Sequence, residues 1–148
     1  MDWFVRYFIK SALVYLGLGV GMGVWLGFAP EAVIYRPAHA HLNLLGFTSM
    51  LIFGVAYHVI PRFTGHPLHS RRMAEVHWWA SNAGLVALVF GFLLLPWRPG
   101  ARLVVEAGAV LAAIGALLFI YNLWRTLDGS GPKPRPEAGG GRRLPMSS

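Results

Sequence analysis

The sequence predicts an all-α membrane protein, a four-transmembrane-helix up-down bundle with both termini in the cytoplasm. Hydrophobic residues make up 55% of the 148 residues and charged residues only 13%. A soluble domain of this size carries about a quarter charged residues. The charges also leave four uncharged stretches, at 11–30, 37–61, 76–97 and 107–124. Each stretch is close to the ~20 residues that cross a bilayer as a helix, which argues against a secreted domain, a soluble enzyme or a nucleic-acid-binding protein.

The expected elements follow from these stretches. We expect the helices near 8–29, 38–60, 76–96 and 103–124. The first stretch follows basic residues, as in a signal peptide, but it lacks a small-residue cleavage site, so we interpret it as a retained helix. Together the four helices form a transmembrane domain over 1–127. The remainder, 128–148, is rich in Gly, Pro and Arg, which predicts a disordered basic cytoplasmic tail.

The distribution of basic residues predicts the orientation. One side of the membrane receives ten of them, namely Arg6, Lys10, Arg62, Arg71, Arg72, Arg125, Lys133, Arg135, Arg142 and Arg143. The other side receives only Arg36, Arg98 and Arg102. Because loops rich in Lys and Arg stay in the cytoplasm, both termini and the 61–75 loop are predicted there. The net charge of +7 then indicates contact with anionic membrane lipid, and no nucleic acid is expected as a partner.

Glycines on the first helix form two rows that let another backbone come close. Gly19, Gly23 and Gly27 share one face, and Gly17 with Gly21 forms a second pair. Such rows drive helix association in lipid, so we expect a homodimer or a higher homo-oligomer. Close packing inside the bundle explains the same rows equally well. A weaker row of the same kind is formed on the fourth helix by Gly108, Ala112 and Gly115.

Six histidines divide into an outer and an inner group. His39 and His41 begin the second helix on the outer side, whereas the inner group comprises His58, His66, His69 and His77. At 1.5 Å per residue, His39 and His58 are roughly 28 Å apart along the helix, so they cannot share a cofactor within one chain. The sequence has no cysteine, which excludes iron–sulfur clusters, thiolate zinc sites and covalent c-type haem.

The outer histidines suggest a haem site. Below His39 the second helix continues at helical spacing with Asn43, Gly46, Met50, Gly54 and Tyr57. A histidine above two glycines leaves room for a flat group, and imidazole is an axial ligand of haem iron. The cations at this level, Arg36, Arg98 and Arg102, either pair with haem propionates or are ordinary interfacial residues. The alternative for His39 and His41 is that they are interfacial residues hydrogen-bonded to loop carbonyls.

The inner histidines suggest a second metal site. His58 and His77 flank the 61–75 loop and could approach each other, and neutral imidazoles suit copper, zinc or haem. His77 also opens an H-W-W segment of the kind found in an interfacial aromatic belt, so membrane anchoring explains it as well. His66 and His69 lie in a loop with proline and glycine, where we expect hydrated side chains.

The stretch YRPAHAHLNLLGFTSMLIFGVAYHVIPRFTG, residues 35–65, resembles the second transmembrane helix of haem–copper oxidase catalytic subunits, in the cbb-type oxidase and nitric oxide reductase branch. The matching positions are Arg36, Pro37, His39, Asn43, Phe53, Gly54, Tyr57, Val59 and Arg62. The resemblance implies that His39 is an axial ligand of a low-spin haem near the outer face. His41 departs from the family pattern and leaves open which of the two histidines binds iron.

The resemblance also implies what these residues lack. The family's catalytic subunit has many more helices, which supply the second haem ligand and the histidines of a copper or iron site, so we expect no complete oxidase or reductase active site here. We predict a haem b-binding protein of a prokaryotic cytoplasmic membrane that transfers electrons with a respiratory-chain partner or binds NO or O2. The iron is either five-coordinate or receives a sixth ligand, which is His41 or a methionine such as Met22 of the same chain, or a histidine of a second copy. Copper binding, haem handling and a cofactor-free accessory or assembly role in a respiratory complex are the alternatives.

Overall fold

The computed structural model describes residues 1–131, which form a bundle of four long helices. In chain order these are α1 (Trp3–Phe28), α2 (Pro30–Thr64), α3 (Arg71–Leu94) and α4 (Arg102–Leu127). All four are long and apolar enough to cross a membrane, and the described residues contain no β-strand. The predicted all-α, four-helix transmembrane fold is confirmed, and the protein is a multi-pass membrane protein. The part of the predicted disordered tail that follows residue 131 lies outside the described residues.

Local signals extend the helices past the uncharged stretches. The helix expected from residue 76 already begins at Arg71, because the Ser70 side chain accepts a hydrogen bond from the Met73 backbone N–H at 3.2 Å and caps the first turn. The helix expected to end at residue 60 continues through Pro61 and stops before Gly65, which has a φ of 70°. Glycine adopts this left-handed conformation without strain and commonly ends a helix.

The second helix is irregular in its first half. It begins with a 3₁₀ turn (Pro30–Tyr35), followed by an α-helical turn (Arg36–His41), a π-helical segment (Leu42–Ser49) and a regular α-helix (Met50–Thr64). A π-helix closes its hydrogen bonds over one more residue than an α-helix does. The side-chain row expected below His39 therefore changes register inside this segment.

Glycines lie at close contacts between two pairs of helices. Between α1 and α2, a Cβ on Gly54 would lie 3.0 Å from Phe8 Cβ. Between α3 and α4, a Cβ on Gly84 would lie 2.6 Å from the backbone nitrogen of Ala112, and one on Gly108 would lie 2.7 Å from that of Leu88. The row on the fourth helix that looked weaker in the sequence thus forms a backbone-to-backbone contact.

Some glycines of α1 pack inside the bundle, and the others lie on its outer surface. Gly19 and Gly23 pack against α2 within the chain, where a Cβ on either would come within 3 Å of a side chain. Gly17, Gly21 and Gly27 have no such neighbour within 4 Å. Close packing inside the bundle therefore accounts for two members of the first row, whereas the second row remains on an open face.

The core and the outer surface are both apolar. The largest fully buried apolar side chains are Phe4, Phe8, Met50 and Leu85, which bring α1, α2 and α3 together. Large apolar side chains also point outward, and Leu117 on α4 is 64% exposed. An outer surface of this kind suits lipid, which solvates it as well as a protein core would.

We predict that both termini face the cytoplasm, because the sequence places ten basic residues on their side and three on the other. A fluorescent protein fused after Ser148 should be active, whereas alkaline phosphatase at the same position should be inactive. The fusions should be compared with matched fusions in the 97–102 loop, where the activities should be reversed. Phosphatase activity after Ser148 would contradict the orientation.

Candidate functional site

His39 lies half-buried between α2 and the glycine face of α1. Its Nδ1 is 3.0 Å from the carbonyl oxygen of Gly19. A carbonyl oxygen only accepts hydrogen bonds, so this contact assigns the hydrogen of a neutral imidazole to Nδ1 and the lone pair to Nε2. Metal-binding histidines commonly have this arrangement, in which one ring nitrogen donates to a backbone carbonyl and the other carries the lone pair.

The glycines of α1 provide the space for this arrangement. A Cβ on Gly23 would lie 2.9 Å from His39 Cε1, and a Cβ on Gly19 would lie 2.8 Å from the Asn43 amide nitrogen. The Asn43 amide donates to the His39 carbonyl at 2.9 Å and lies 3.3 Å from His39 Nδ1. Asn43 and the two glycines therefore determine how the imidazole is oriented.

His39 lines an open groove of about 600 Å³ at the end of the bundle opposite the termini. The other lining residues are Gly23, Leu26, Gly27, Pro30, Val33, Arg36 and Ala40. This volume lies within the roughly 300–1,000 Å³ of small-molecule sites. Arg36 is exposed and brings a guanidinium to the same groove. The groove thus combines one imidazole and one permanent positive charge with a mainly apolar wall.

His41 lies away from this groove. Its Nδ1 is 2.7 Å from the Pro37 carbonyl oxygen on its own helix, and its ring centre is 5.1 Å from that of Phe92 on α3. His39 instead contacts α1. The two imidazoles therefore do not converge on a single point within the chain.

The space expected beside the glycine row of α2 is filled by side chains. A Cβ on Gly46 would lie 2.7 Å from Tyr15 Cβ and 2.9 Å from Leu85 Cδ2. Met50 is fully buried in the core. The expected slot for a flat group next to Gly46 and Met50 is therefore wrong for the interior of this chain, and both residues serve helix packing.

Two of the three outer arginines are separate from the His39 groove. Arg102 pairs with Glu106 at 2.9 Å on the exposed face of α4. Arg98 is exposed beside Trp97, whose indole N–H donates to the Tyr35 hydroxyl at 3.1 Å. Neither arginine lines the groove, so only Arg36 shares it with His39.

The inner histidines do not form the pair expected from the sequence. The His58 Nδ1 lies 3.0 Å from the Arg62 guanidinium, one turn further along α2. His77 is fully buried, with its Nδ1 3.0 Å from the Tyr57 hydroxyl and its ring among Phe8, Phe53 and Phe119. Interfacial anchoring is therefore wrong for His77, and Tyr57 occupies the position expected for His58.

The loop histidines lie near the surface. His66 is exposed, and His69 is half-buried, with its Nδ1 3.1 Å from the Ser130 carbonyl oxygen. Within residues 1–131, no group of three His, Cys, Asp or Glu side chains gathers where it could hold a metal ion.

A buried polar cluster lies at the end of the bundle that carries the termini, and it was not predicted from the sequence. Asn122 and Thr126 of α4 are fully buried. Asn122 accepts from the Ser70 backbone N–H at 2.9 Å and donates to the Ser70 carbonyl at 2.8 Å, and Thr126 accepts from the His69 N–H at 3.0 Å. These bonds join the 65–70 loop to α4. Their sequence signal is two polar residues four apart at the end of an apolar helix.

Comparisons with known proteins decide the family. Residues 29–130 match the family model described as cytochrome c and quinol oxidase polypeptide I. The chain belongs to this family. The match extends beyond the motif around His39 and includes α3 and α4.

Three relatives show how much of the family's subunit this chain corresponds to. The cbb3-type cytochrome c oxidase subunit CcoN1 of Stutzerimonas stutzeri is 26% identical over 121 residues, covering 64% of this chain and 25% of that protein. Cytochrome c oxidase subunit 1 of Rhodobacter capsulatus is 28% identical, covering 60% and 22%. A bacteroid subunit 1 homologue of Bradyrhizobium diazoefficiens is 26% identical, covering 60% and 21%. The chain spans a quarter or less of the length of these relatives.

Proposed function

We propose that this member of the family binds haem b at the His39 groove and transfers electrons or binds a diatomic gas such as NO or O2. The observation that carries the proposal is the His39 imidazole, whose Nδ1 faces the Gly19 carbonyl while its ring lines an open groove. The bacterial oxidase subunits among its relatives support a place in a prokaryotic cytoplasmic membrane, next to a respiratory-chain electron partner.

The residues of the groove fit a haem by their chemistry. Haem, when bound, supplies an iron that accepts and releases one electron or takes up a small gas. The hydrogen bond to Gly19 leaves Nε2 of His39 as the ring nitrogen that would bind iron, with the Asn43 amide nitrogen 3.5 Å from it. The Arg36 guanidinium can pair with a propionate through charge-assisted hydrogen bonds. Leu26 and Val33 provide apolar wall that limits the access of water.

The open side of the groove favours a second polypeptide there. Within residues 1–131, His41 contacts α3 rather than the groove, so it is not placed as a second ligand of an iron at His39. A facing copy or a larger membrane complex would cover the open side and could supply that ligand. Otherwise the iron stays five-coordinate, with a position available to a gas.

We further propose that the chain forms a homodimer through the open glycine pair of α1. Gly17 and Gly21 lie four residues apart with no heavy atom within 4 Å of a Cβ position. Changing both to leucine should lower the mass of the detergent-solubilised protein by about half, because the helices could no longer approach closely. The matched control changes Ala109 and Ala113, an exposed pair on α4, to leucine. An unchanged mass in the glycine variant would contradict this interface.

The absorption spectrum of the purified full chain, oxidised and dithionite-reduced, tests the haem proposal. We expect a Soret band that shifts on reduction and a pyridine haemochrome typical of haem b, because the sequence has no cysteine for covalent attachment. Protein loaded with haem during expression and protein reconstituted afterwards should give the same spectrum. A folded protein without a Soret band in both preparations would refute the proposal.

A cofactor-free accessory or assembly subunit is the second candidate function. The filled space beside Gly46 favours it, because no flat group fits between the helices there. The exposed apolar faces also suit packing against a larger membrane complex. Metal analysis of the purified protein distinguishes this candidate from haem binding and from copper handling. An accessory subunit should contain neither iron nor copper. A copper-handling protein should contain copper but no haem.

The close contact between Gly23 and the His39 ring gives a further prediction. Gly23→Ala should reduce haem affinity about tenfold, because the new methyl group would lie 2.9 Å from His39 Cε1 and push the ring away from its position. Gly100→Ala is the matched control, since a Cβ there meets nothing within 4 Å and the residue lies outside both the groove and the proposed α1 interface. Haem titration of the two apoproteins measures the difference. Equal affinities would show that the position of the His39 ring does not determine binding.

A further inference from the structure

A second groove, of about 750 Å³, opens at the end of the bundle that carries the termini. We call it the basic groove, and its lining residues are Asp2, Tyr57, Pro61, Arg62, Pro67, Leu68, His69, Ser70 and Arg71. It lies between the end of α2 and the beginning of α3, with contributions from the loop and from the residue before α1. It therefore lies at the level where a bilayer places its polar headgroups.

Two arginines dominate the charge of the basic groove. Arg62 contacts only His58 through its guanidinium, and no carboxylate pairs with it among residues 1–131. Arg71 pairs with Asp2 at 2.8 Å, yet its side chain is 73% exposed and keeps further N–H donors available. Arg71 is also the first residue of α3, where the helix dipole adds positive potential. The groove therefore presents a net positive charge with planar donors that match a phosphate.

A separate apolar channel lies on the surface of α2. It has a volume of about 350 Å³, is lined by Leu51, Ile52, Val55, Ala56, Val59 and Ile60, and shares no lining residue with the basic groove. Arg62 follows Val59 by three residues and Val55 by seven, so helical spacing places the arginine on the channel's face of α2. Arg62 thus lies between a positively charged groove at the end of the bundle and an apolar channel on the same helix.

We propose that these two features bind one anionic phospholipid, with its phosphate between Arg62 and Arg71 and an acyl chain in the channel. A free phosphate would use the basic groove alone, and the apolar channel on the Arg62 side of α2 is the reason to favour a lipid. Basic pockets between transmembrane helices are suited to anionic headgroups. The site is separate from the His39 groove and does not depend on haem binding.

The test is native mass spectrometry of the full chain, released from phosphatidylcholine nanodiscs that contain a minor fraction of phosphatidylglycerol. We expect the wild type to retain one phosphatidylglycerol molecule in preference to phosphatidylcholine. Arg62→Gln with Arg71→Gln should reduce this retention about tenfold, because both guanidinium contacts are lost. Arg6→Gln with Arg72→Gln is the matched control, since it removes two exposed charges from the same end that do not line the groove. Retention by the control should stay within about twofold of the wild type.

Two further variants and a competition with inorganic phosphate distinguish a lipid site from the alternatives. Arg62→Gln alone leaves the Asp2–Arg71 pair intact and should still weaken retention, so the proposal remains testable if the double variant does not fold. Val55→Trp should weaken retention by obstructing the channel without removing a charge. Equal losses in the two arginine pairs would indicate diffuse attraction to the surface and overturn the site. Displacement of the lipid by millimolar inorganic phosphate, with no effect of Val55→Trp, would assign the groove to free phosphate instead.

Discussion

Replacing His39 by alanine is expected to reduce bound haem to less than about a tenth of the wild-type amount, because the His39 imidazole would provide the main bond between the chain and a bound haem. The expected loss follows from the position of the ring, with Nδ1 at the Gly19 carbonyl and the ring edge in the open groove. The ratio of Soret to protein absorbance after purification measures it. Imidazole added to the variant should restore part of the haem, which a merely misfolded protein would not allow.

The other histidines provide the controls. His66→Ala and His69→Ala should retain haem, because both residues belong to the loop near the termini, at the opposite end of the bundle from the groove. His41→Ala should also retain it, since His41 bonds to Pro37 and contacts Phe92 on α3. Haem loss in the His41 variant alone would transfer the ligand role to that residue. Full retention in a variant lacking both outer histidines would refute an outer haem site and direct attention to His77.

Gly84→Ala is expected to lower the free energy of unfolding by about 2–3 kcal/mol, although it adds a single methyl group. That methyl group would lie 2.6 Å from the backbone nitrogen of Ala112 and 2.9 Å from the carbonyl oxygen of Gly108. Backbone atoms cannot rotate away as a side chain can, so α3 and α4 must separate along their contact. The midpoint of denaturation by sodium dodecyl sulfate, followed by circular dichroism, measures the change.

Gly100→Ala is the matched control for this helix contact. It makes the same chemical change in the turn before α4, at a position where a Cβ meets nothing within 4 Å and outside the proposed dimer interface. We expect its stability to be unchanged or slightly raised, because alanine reduces the conformational freedom of the unfolded chain relative to glycine. If the two variants lost stability equally, a general effect of replacing glycine by alanine, and not the contact between α3 and α4, would be responsible.

The number and approximate positions of the helices were predictable because they depend on local composition. A helix that crosses lipid needs about twenty apolar residues, and the spacing of the charged residues displays four such stretches. The relation to the oxidase family was also predictable, since the residues around His39 form a contiguous motif. The exact ends of the helices depended on local signals such as the Ser70 cap, which lies outside the uncharged stretches.

The inward faces of the helices were decided only by the tertiary structure. In water a helix shows its buried face by its apolar stripe, but in lipid the core-facing and lipid-facing sides are both apolar. The sequence therefore did not distinguish the glycines of α1 that receive Asn43 and His39 from Gly17 and Gly21, which face outward. The same ambiguity concealed the burial of His77. The H-W-W segment looks uniformly interfacial in the sequence, yet His77 is fully buried whereas Trp79, two residues later in the same helix, is 64% exposed.

It was therefore possible to predict from the sequence the four spans, the two groups of histidines and the family, since the spans and the motif around His39 are contiguous stretches of residues. The structure decided that His39 and Arg36 share a groove whereas Arg98 and Arg102 do not, and that Tyr57 rather than His58 meets His77. These outcomes depend on how each helix is rotated about its axis. That rotation results from close backbone contacts and from a π-helical segment in α2, neither of which leaves a periodic pattern in an apolar sequence.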